Sequence, residues 1–357
     1  MGLKQTVLSI GKATGAFAMV RGSSWRRNRL LLLCYHGISM HDEHEWNPSL
    51  YITPEKLRER LQVLRDGNYS ILPLAEATRR LFDGTLPPRS VALTFDDGAV
   101  DFEQRALPVL REFNAPATVY LTTHYCEERY PVFDTVLSYV LWRGRNSKAD
   151  LAGLAKSNRP LAVSSEADRS AAWQHLYDFA KASSLGTEAK NELVRQVALT
   201  LGVDFADILS RRLLQIMSAD DLRKLPSPLI DVQLHTHRHR TPRDRSLFVR
   251  ELEDNAKAIR KYCGSATSLK QFCYPSGDYD GRFFQWLREC GVEYATTCLP
   301  DLASRNDNPL MLPRFVDTMQ QSRLSFEAWA TGFAGLLPRR AEHRVNQERL
   351  TSAHAAP

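Results

Sequence analysis

An apolar segment that ends in two adjacent carboxylates constrains this chain more than any other feature. Residues 91–98 read Val-Ala-Leu-Thr-Phe-Asp-Asp-Gly, so a β-type run stops at Asp96 and Asp97. In parallel α/β sheets, ligands bind outside the carboxyl ends of the strands, so acids at that end indicate a functional site. An isolated Asp-Asp-Gly is also typical of a simple turn. Its meaning therefore depends on which other residues follow a strand in this chain.

A second apolar run, residues 229–234, leads into a cluster of histidines at 235, 237 and 239. Two imidazoles and one carboxylate can bind a divalent metal and leave positions open for water and substrate. His235 and His239 have the i, i+4 spacing that places two side chains on one face of a helical turn. His235 and His237 would instead share one face of a continuing strand. We favour the first pair, because we expect the strand to end at His235.

Five segments, in order along the chain, resemble motifs of the polysaccharide deacetylase family, whose members use a metal ion to remove acetyl groups from sugars. They are residues 34–38, 94–98, 235–239, 272–277 and 312–315. The first and last resemble members whose barrel is circularly permuted. Five motifs in order are more specific than any one of them. The resemblance implies an α/β fold, a distorted seven-stranded (β/α) barrel.

The resemblance also implies roles for the residues that follow the strands. Asp97, His235 and His239 are the expected ligands of one divalent metal ion. Zinc is the favoured ion, with nickel, cobalt and iron as alternatives that ligand type does not separate. Asp96 is the expected general base. His36 is the candidate general acid, because permuted members take this histidine from their first strand; a hydrogen-bonded core histidine is the alternative.

Three further residues, Tyr274, Pro275 and Arg314, are expected to bind substrate or to support the site. By analogy with the family, Tyr274 lines the groove and its backbone N–H faces a developing oxyanion. Residues 271–273 read Gln-Phe-Cys and lack the arginine of unpermuted members. Arg314 is therefore a candidate to pair with Asp96 and keep it ionised, and a buried structural arginine is an equal alternative.

Alternating strand and helix patterns predict that the barrel occupies residues 30–335. Candidate strands begin at residues 30, 91, 117, 230, 268, 294 and 310. From about residue 130 to 225 the pattern is helical, which predicts an inserted helical subdomain. By chain order alone, this insertion should form a wall of the substrate groove. We expect residues 1–29 to form a basic N-terminal segment and residues 336–357 to form a disordered tail.

Composition excludes several classes of protein. The chain has 357 residues, 43% of them hydrophobic, and a net charge of +6. Much of the basic excess lies near the ends, so we expect no nucleic-acid partner. The six cysteines form no CxxC pair, and no run approaches the ~20 apolar residues of a spanning helix. These features predict a cytoplasmic enzyme, with the N-terminal segment either a solvated helix or a peripheral contact with an anionic membrane surface.

The sequence therefore predicts a metal-dependent hydrolase of carbon–nitrogen bonds other than peptide bonds. Its expected substrate is an N-acetylated sugar in a polysaccharide or glycan precursor. An O-acetyl esterase or a small-amide deacylase is the first alternative, because the same groups can attack either carbonyl. A catalytically silent glycan-binding barrel is the second. The complete set of acids and histidines argues against silence, since a binding module does not need all of them.

Overall fold

A computed structural model of the chain describes residues 3–128 and 130–338. The strands are β1 (Arg29–Tyr35), β2 (Gly37–Ile38), β3 (Tyr51–Ile52), β4 (Ser70–Ile71), β5 (Ser90–Phe95), β6 (Ala117–Leu121), β7 (Ile230–Leu234), β8 (Gln271–Cys273), β9 (Tyr294–Thr296), β10 (Ala303–Ser304) and β11 (Phe315–Val316). The α-helices are α1 (Leu3–Ala13), α2 (Ala16–Gly22), α3 (Ser24–Arg27), α4 (Glu43–Trp46), α5 (Pro54–Asp66), α6 (Leu74–Phe82), α7 (Leu107–Phe113), α8 (Phe133–Arg143), α9 (Glu166–Ala182), α10 (Thr187–Leu201), α11 (Phe205–Ser210), α12 (Ala219–Arg223), α13 (Arg245–Cys263), α14 (Gly281–Glu289) and α15 (Arg323–Thr331).

Seven parallel strands curl into a barrel, which confirms the predicted fold class. β1 lies between β5 and β11. On the other side of β5, the strands follow in the order β6, β7, β8 and β9. Leu312, just before β11, bridges to Thr296 at the end of β9 and closes the ring. β4 extends the sheet beside β5, and β10 pairs antiparallel with β1. Because the seven barrel strands are parallel, their carboxyl ends meet at one rim.

Side chains alternate between the two faces of the barrel strands, and both faces are buried. Leu31, Leu33 and Leu93 belong to the core that packs with the outer helices. Leu32 and Ala92 belong to a second cluster, which also contains residues of α6. Continuing this alternation, Cys34 and Asp96 share a face with Leu32 and Ala92. The period of two therefore brings polar groups at the strand ends to the barrel interior.

Between residues 130 and 225, the described residues form helices α8 to α12 and no strand. Helices α8 to α11 have their own apolar cluster, which includes Val136, Leu176 and Val194, whereas Leu222 of α12 belongs to the barrel core. Ser218 and Asp221 form a capping box at the start of α12. A capping box satisfies two backbone N–H groups that a helix terminus would otherwise leave unpaired. Helices α8 to α11 thus pack around a cluster of their own, and α12 packs on the barrel.

Three predicted elements differ from the observed ones. The strand predicted from Leu310 to Phe315 begins instead with a 3₁₀ turn over Pro309–Met311, where the side chain of Asn308 accepts the N–H of Leu310. The strand predicted from residue 268 is confined to β8. The alternating pattern also predicts a regular helix between β5 and β6, and this segment starts with a π-helical turn over Phe102–Ala106. Pro108 has no N–H for the α-helical bond to residue 104, so the regular α-helical pattern is interrupted there.

The N-terminal segment packs against the barrel, so the prediction of a solvated terminal helix was wrong. Leu8 and Phe17 form an apolar cluster with Ala328 of α15, and Lys12 pairs with Glu327. Arg26 is fully buried. The free energy gained by burying apolar side chains of the N-terminal helices and of α15 exceeds the free energy gained by leaving a basic helix in water. The described helices include none with the length and apolarity needed to cross a membrane; the expected location and membrane contact stay predictions. The predicted tail lies outside the described residues from 339 onward.

Candidate active site

Asp97, His235 and His239 converge at the carboxyl rim of the barrel. The Nε2 atoms of His235 and His239 lie 3.2 and 3.1 Å from the same oxygen, Oδ1 of Asp97. The three ligand atoms lie within 4.8 Å of one another. His235 is buried, whereas the side chains of Asp97 and His239 are about one-third exposed, at 36% and 34%. The three groups therefore form a compact set that is open to the surface on one side.

Left-handed backbone turns, and not a helical turn, bring these side chains together. β7 ends at Leu234, and the loop that follows has positive φ at Thr236 (63°) and His239 (54°). The loop reverses direction within four residues, so the i, i+4 pair meets although no helix forms. Asp97 also has a positive φ of 68°. Aspartate tolerates this region better than most residues because its short polar side chain bonds locally.

The hydrogen bond of His235 fixes which ring nitrogen faces Asp97. Nδ1 of His235 lies 2.8 Å from the carbonyl oxygen of Cys273. A carbonyl only accepts, so Nδ1 carries the proton and Nε2 of the neutral ring has a lone pair directed at a carboxylate oxygen. Two acceptors at this distance attract each other only if a proton or a cation lies between them. The donor set of Asp97, His235 and His239 therefore fits a divalent metal ion.

The charges of this cluster shift the pKa of its members in opposite directions. Burial alone would raise the pKa of Asp97, but the charge of His239 and the polar contacts with both imidazoles hold it well below its usual range. Burial alone would lower the pKa of His239, and the carboxylate of Asp97 outweighs burial and raises it. Each group thus stabilises the charged form of the other.

Asp96 lies inside the barrel and pairs with Arg314. Nη1 and Nη2 of Arg314 each donate to one carboxylate oxygen of Asp96, both at 2.7 Å. Both residues are buried, with 3% of Asp96 and none of Arg314 exposed. Burial disfavours the charged carboxylate, but the arginine outweighs it and lowers the pKa of Asp96. Arg314 is thus both a buried arginine and the partner of Asp96, so the two alternatives considered for it hold together.

Three cysteines surround this ion pair, and no sequence motif predicts their contact with it. The Sγ atoms of Cys34 and Cys273 each lie 3.5 Å from Oδ2 of Asp96. Nη2 of Arg314 lies 3.0 Å from Sγ of Cys273 and 3.6 Å from Sγ of Cys298. A hydrogen bond from Cys34 lowers the pKa of Cys298 to about 6. The positions of two of these cysteines could have indicated a place near the site, because Cys34 and Cys273 lie inside two of the five motifs.

His36 lies on the other side of Asp96, at the end of β1. Its Nε2 lies 3.7 Å from Oδ2 of Asp96, and its side chain is 20% exposed. Its Nδ1 is buried and has no hydrogen-bond partner among the described residues. One nitrogen of His36 therefore faces the buried acid and the groove, which a core histidine satisfied on both sides would not do.

Tyr274 and Pro275 lie behind the site. The hydroxyl of Tyr274 donates to the carbonyl of Leu310 at 2.9 Å, and its backbone N–H donates to the carbonyl of Thr296 at 3.4 Å. Both residues are buried. Tyr274 therefore supports the junction that closes the barrel, and its phenol does not line the groove.

His237 points away from the carboxylates. Its Nδ1 lies 2.9 Å from the hydroxyl of Thr123, and its ring packs edge-on against His124. Asn255, which the sequence analysis did not single out, holds the neighbouring loop. Its Oδ1 accepts the backbone N–H of His235 at 3.0 Å, and its amide donates to the carbonyl of Leu121 at 2.9 Å. Asn255 thus fixes the backbone from which the first histidine projects.

A groove of about 270 Å³ opens in front of the two acids. His36, Asp96 and Asp97 line one side of it, and Asp134 and Trp173 of the helical insertion line another. This inner groove is thus formed between the barrel rim and the insertion. A larger cavity of about 1070 Å³ lies elsewhere, beside Asp231 at the amino end of β7. Ligands in parallel barrels bind at the carboxyl rim, so the smaller groove is the candidate active site.

Comparisons with known proteins relate the sequence of this chain to one family. The family described as polysaccharide deacetylase matches residues 83–156 and 214–295. The chain is similar to the poly-beta-1,6-N-acetyl-D-glucosamine N-deacetylase of Escherichia coli K12, with 31% identity over 94 residues, 26% of this chain and 14% of that relative. It is also similar to the deacetylase of the same name from Staphylococcus epidermidis, with 25% identity over 154 residues, 38% of this chain and 53% of that relative.

Two solved structures share the fold. The deacetylase PplD of Streptococcus pyogenes, in complex with acetate, has a TM-score of 0.52 and 20% identity, covering 87% of this chain and 99% of that one. IcaB from Ammonifex degensii has a TM-score of 0.55 and 16% identity, covering 85% and 97%. The barrel, the order of its motifs and these similarities support membership of the polysaccharide deacetylase family, whose model matches two segments of this chain.

Proposed function

We propose that this chain is a metal-dependent N-deacetylase of N-acetylglucosamine units in a β-1,6-linked glycan. The observation that carries the proposal is that Asp97 lines one groove with Asp96 and His36 and also contacts both His235 and His239. The substrate is inferred from the two relatives, whose names specify poly-beta-1,6-N-acetyl-D-glucosamine. The reaction adds water to the acetyl carbonyl, breaks the C–N bond and delivers a proton to the nitrogen.

Asp97, His235 and His239 would hold the metal ion. When bound, the ion supplies a Lewis acid for the carbonyl and lowers the pKa of a water molecule. The low pKa of Asp97 and the free lone pair of His235 suit these residues to this task, because ligands must be deprotonated. Zinc is the favoured ion on the nitrogen and oxygen donors, and nickel, cobalt and iron suit them as well.

Asp96 serves as the general base in this proposal. The two hydrogen bonds from Arg314 keep the carboxylate ionised, so it is able to accept a proton throughout the neutral pH range. They also hold the carboxylate in one orientation at the edge of the groove. Arg314 thereby positions the base, and it comes from the segment that closes the barrel.

His36 serves as the general acid. An amine leaves only after its nitrogen gains a proton, so the acid must reach the substrate from the groove. Nε2 of His36 lies at the groove and 3.7 Å from Oδ2 of Asp96. The two groups thus lie side by side in the position that proton removal and proton delivery require.

Metal analysis combined with acetate release tests the proposal. The wild-type protein should contain about one divalent ion per chain and release acetate from β-1,6-linked N-acetylglucosamine oligomers. His239→Ala should lose both, and the matched variant His237→Ala should keep the ion. Asp96→Asn should keep the ion and lose ~10²–10⁴ in rate, the usual contribution of a general base.

Two results would contradict these assignments. Equal metal content in the wild type and in His239→Ala would remove His239 from the ligand set. Loss of the ion in Asp96→Asn, with retention in Asp97→Asn, would reverse the roles of the two acids.

A further inference from the structure

Two thiols, those of Cys34 and Cys298, lie close together beside the ion pair of Asp96 and Arg314. Their sulfur atoms and a carboxylate oxygen of Asp96 lie within 4.8 Å of one another. A disulfide bond is about 2.05 Å long, so the two sulfurs need to approach by less than about 3 Å to form one. The proposed mechanism gives neither thiol a role, and the two are near enough to react with each other.

The two cysteines differ in how firmly they are held and in how far solvent reaches them. Cys34 is buried in β1, where it pairs with Thr94 of β5 and Val316 of β11. Cys298 is half-buried and lies two residues beyond the end of β9, outside the strand ladder that fixes Cys34. A small reactant from solvent therefore meets Cys298 first.

The surroundings of Cys298 favour its reactive, ionised form. Nη2 of Arg314 lies 3.6 Å from its sulfur. A hydrogen bond from Cys34 and the charge of Arg314 outweigh burial and lower the pKa of Cys298 to about 6, so most of this thiol is ionised at pH 7. Cys290 is also half-buried, but burial raises its pKa. Because peroxides react with the thiolate, oxidation should select Cys298 over Cys290.

Two thiols and a carboxylate could instead hold a second metal ion. Arg314 argues against this use, because its guanidinium already donates to both oxygens of Asp96 and contacts the sulfur of Cys298. A further cation in this cluster would be repelled at close range by a buried positive charge. The geometry therefore favours a reaction between the two sulfurs.

We propose that Cys298 is a site of oxidation by hydrogen peroxide, and that Cys34 then forms a disulfide bond with it. In the first step the sulfur of Cys298 bonds to one peroxide oxygen, the O–O bond breaks, and the products are a sulfenic acid and water. In the second step the sulfur of Cys34 bonds to that of Cys298, the S–O bond breaks, and the hydroxide leaves as water with the proton of Cys34. Both thiols are thereby oxidised, and the peroxide is reduced to water.

This oxidation should slow deacetylation, a consequence that rests on the proposed function. The sulfur of Cys34 lies 3.5 Å from Oδ2 of Asp96, and that of Cys298 lies 3.6 Å from Nη2 of Arg314. Bringing the two sulfurs into a bond changes contacts on both members of the ion pair. The proposed general base then loses the orientation that it has in the reduced protein.

Peptide mass spectrometry of the full chain tests the modification. After treatment with hydrogen peroxide at pH 7 and digestion without reductant, the peptides that contain Cys34 and Cys298 should be joined, and dithiothreitol should separate them. In Cys34→Ser, dimedone should instead label Cys298 as its sulfenic acid. Cys298→Ser should lack this disulfide, whereas Cys290→Ser, the half-buried control, should form it. A wild-type protein with neither the joined peptides nor a dimedone label on Cys298 would overturn the inference.

Acetate release measured on the same samples separates this inference from the proposed function. Peroxide should lower the rate about tenfold or more in the wild type and in Cys290→Ser, because a positioned base contributes at least that much. Dithiothreitol should restore the rate, and Cys298→Ser should respond little relative to its own untreated rate. An equal loss of rate in Cys298→Ser would overturn the inference, and a disulfide that leaves acetate release unchanged would overturn its effect on the base. A disulfide that forms in a protein whose reduced state releases no acetate from any N-acetylated glycan would instead overturn the proposed function.

Discussion

Adjacent residues Asp96 and Asp97 have different partners because the backbone turns between them. Asp96 directly follows β5, faces inward and pairs with a buried arginine. Asp97 and Gly98 both have positive φ, 68° and 80°, so the next carboxylate projects from the rim toward the two histidines. A Cβ at Gly98 would lie 2.4 Å from the side chain of Leu121. Glycine is therefore required there on two counts, backbone conformation and space.

At the residue scale, His36→Ala should be selective for the substrate. An ester releases an alkoxide, which is a better leaving group than an amine anion, so loss of an acid costs more on an amide. We expect N-deacetylation to fall by ~10² or more, with aryl acetate hydrolysis much less affected and metal content unchanged. The matched variant is His41→Ala, an exposed histidine in the loop that follows. Full activity of His36→Ala on an N-acetylated glycan would return this histidine to a structural role.

At the scale of an element, β7 has ionisable groups at both ends. His235 follows its carboxyl end, and Asp231 lies near its amino end. Burial raises the pKa of Asp231 from 3.8 to about 6, although Gln233 donates a hydrogen bond to it at 2.9 Å. The functional end of the strand is thus polar and paired, whereas its opposite end contains an acid that resists ionisation.

Asp231→Asn should therefore change stability in a pH-dependent way. The unfolded chain ionises this acid above pH ~3.9, whereas the folded protein resists until about pH 6, so the wild type loses stability as the pH rises across that window. At pH 7 the variant should be more stable by about 2 kcal/mol, and near pH 4 the difference should vanish. Denaturant unfolding at both values measures it. Asp178→Asn, an exposed acid that also accepts from a glutamine (2.9 Å), is the control; parallel pH profiles for all three proteins would contradict the argument.

The separation along the sequence between interacting residues determines how much of these elements could be predicted. The strand that ends in Asp96 and Asp97 is a local pattern, and it was found. The spacing of His235 and His239 predicted that the two side chains meet on one helical turn. They meet instead through a loop with positive φ at Thr236. That conformation depends on tertiary contacts, which a local sequence pattern does not contain. The pairing of Arg314 with Asp96 spans 218 residues, and only the missing arginine before Tyr274 suggested it. The cysteine cluster depends on three distant segments and was not predicted.

At the scale of the whole molecule, Arg26 links the N-terminal helices to the barrel. Its guanidinium donates to the carbonyls of Ala330 (3.0 Å), Ser90 (3.2 Å) and Arg29 (2.7 Å). These acceptors belong to α15, β5 and β1. Burial lowers the pKa of Arg26 to about 10, so it remains charged at neutral pH. One side chain thus satisfies three carbonyls at the junction of three segments.

Arg26→Ala should destabilise the whole fold by about 3 kcal/mol, because three acceptors lose a charged donor and a cavity remains. Arg27→Ala, the exposed neighbour on the same helix, should change stability by less than about 0.5 kcal/mol. Urea unfolding followed by circular dichroism measures both. Equal midpoints for the two variants would show that the N-terminal helices are not coupled to the barrel in this way.

Closure of the barrel has a consequence for the order of folding. β1 pairs with β11 through Leu33 and Phe315, so the ring cannot form until nearly all of the described chain has been synthesised. At ~5–20 residues per second, a ribosome needs tens of seconds to translate the intervening segment. During that interval one edge of β1 lacks its partner, and Asp96 lacks the arginine that neutralises it. Nascent chains therefore expose an apolar strand edge, and we expect them to require a chaperone more than the finished enzyme does.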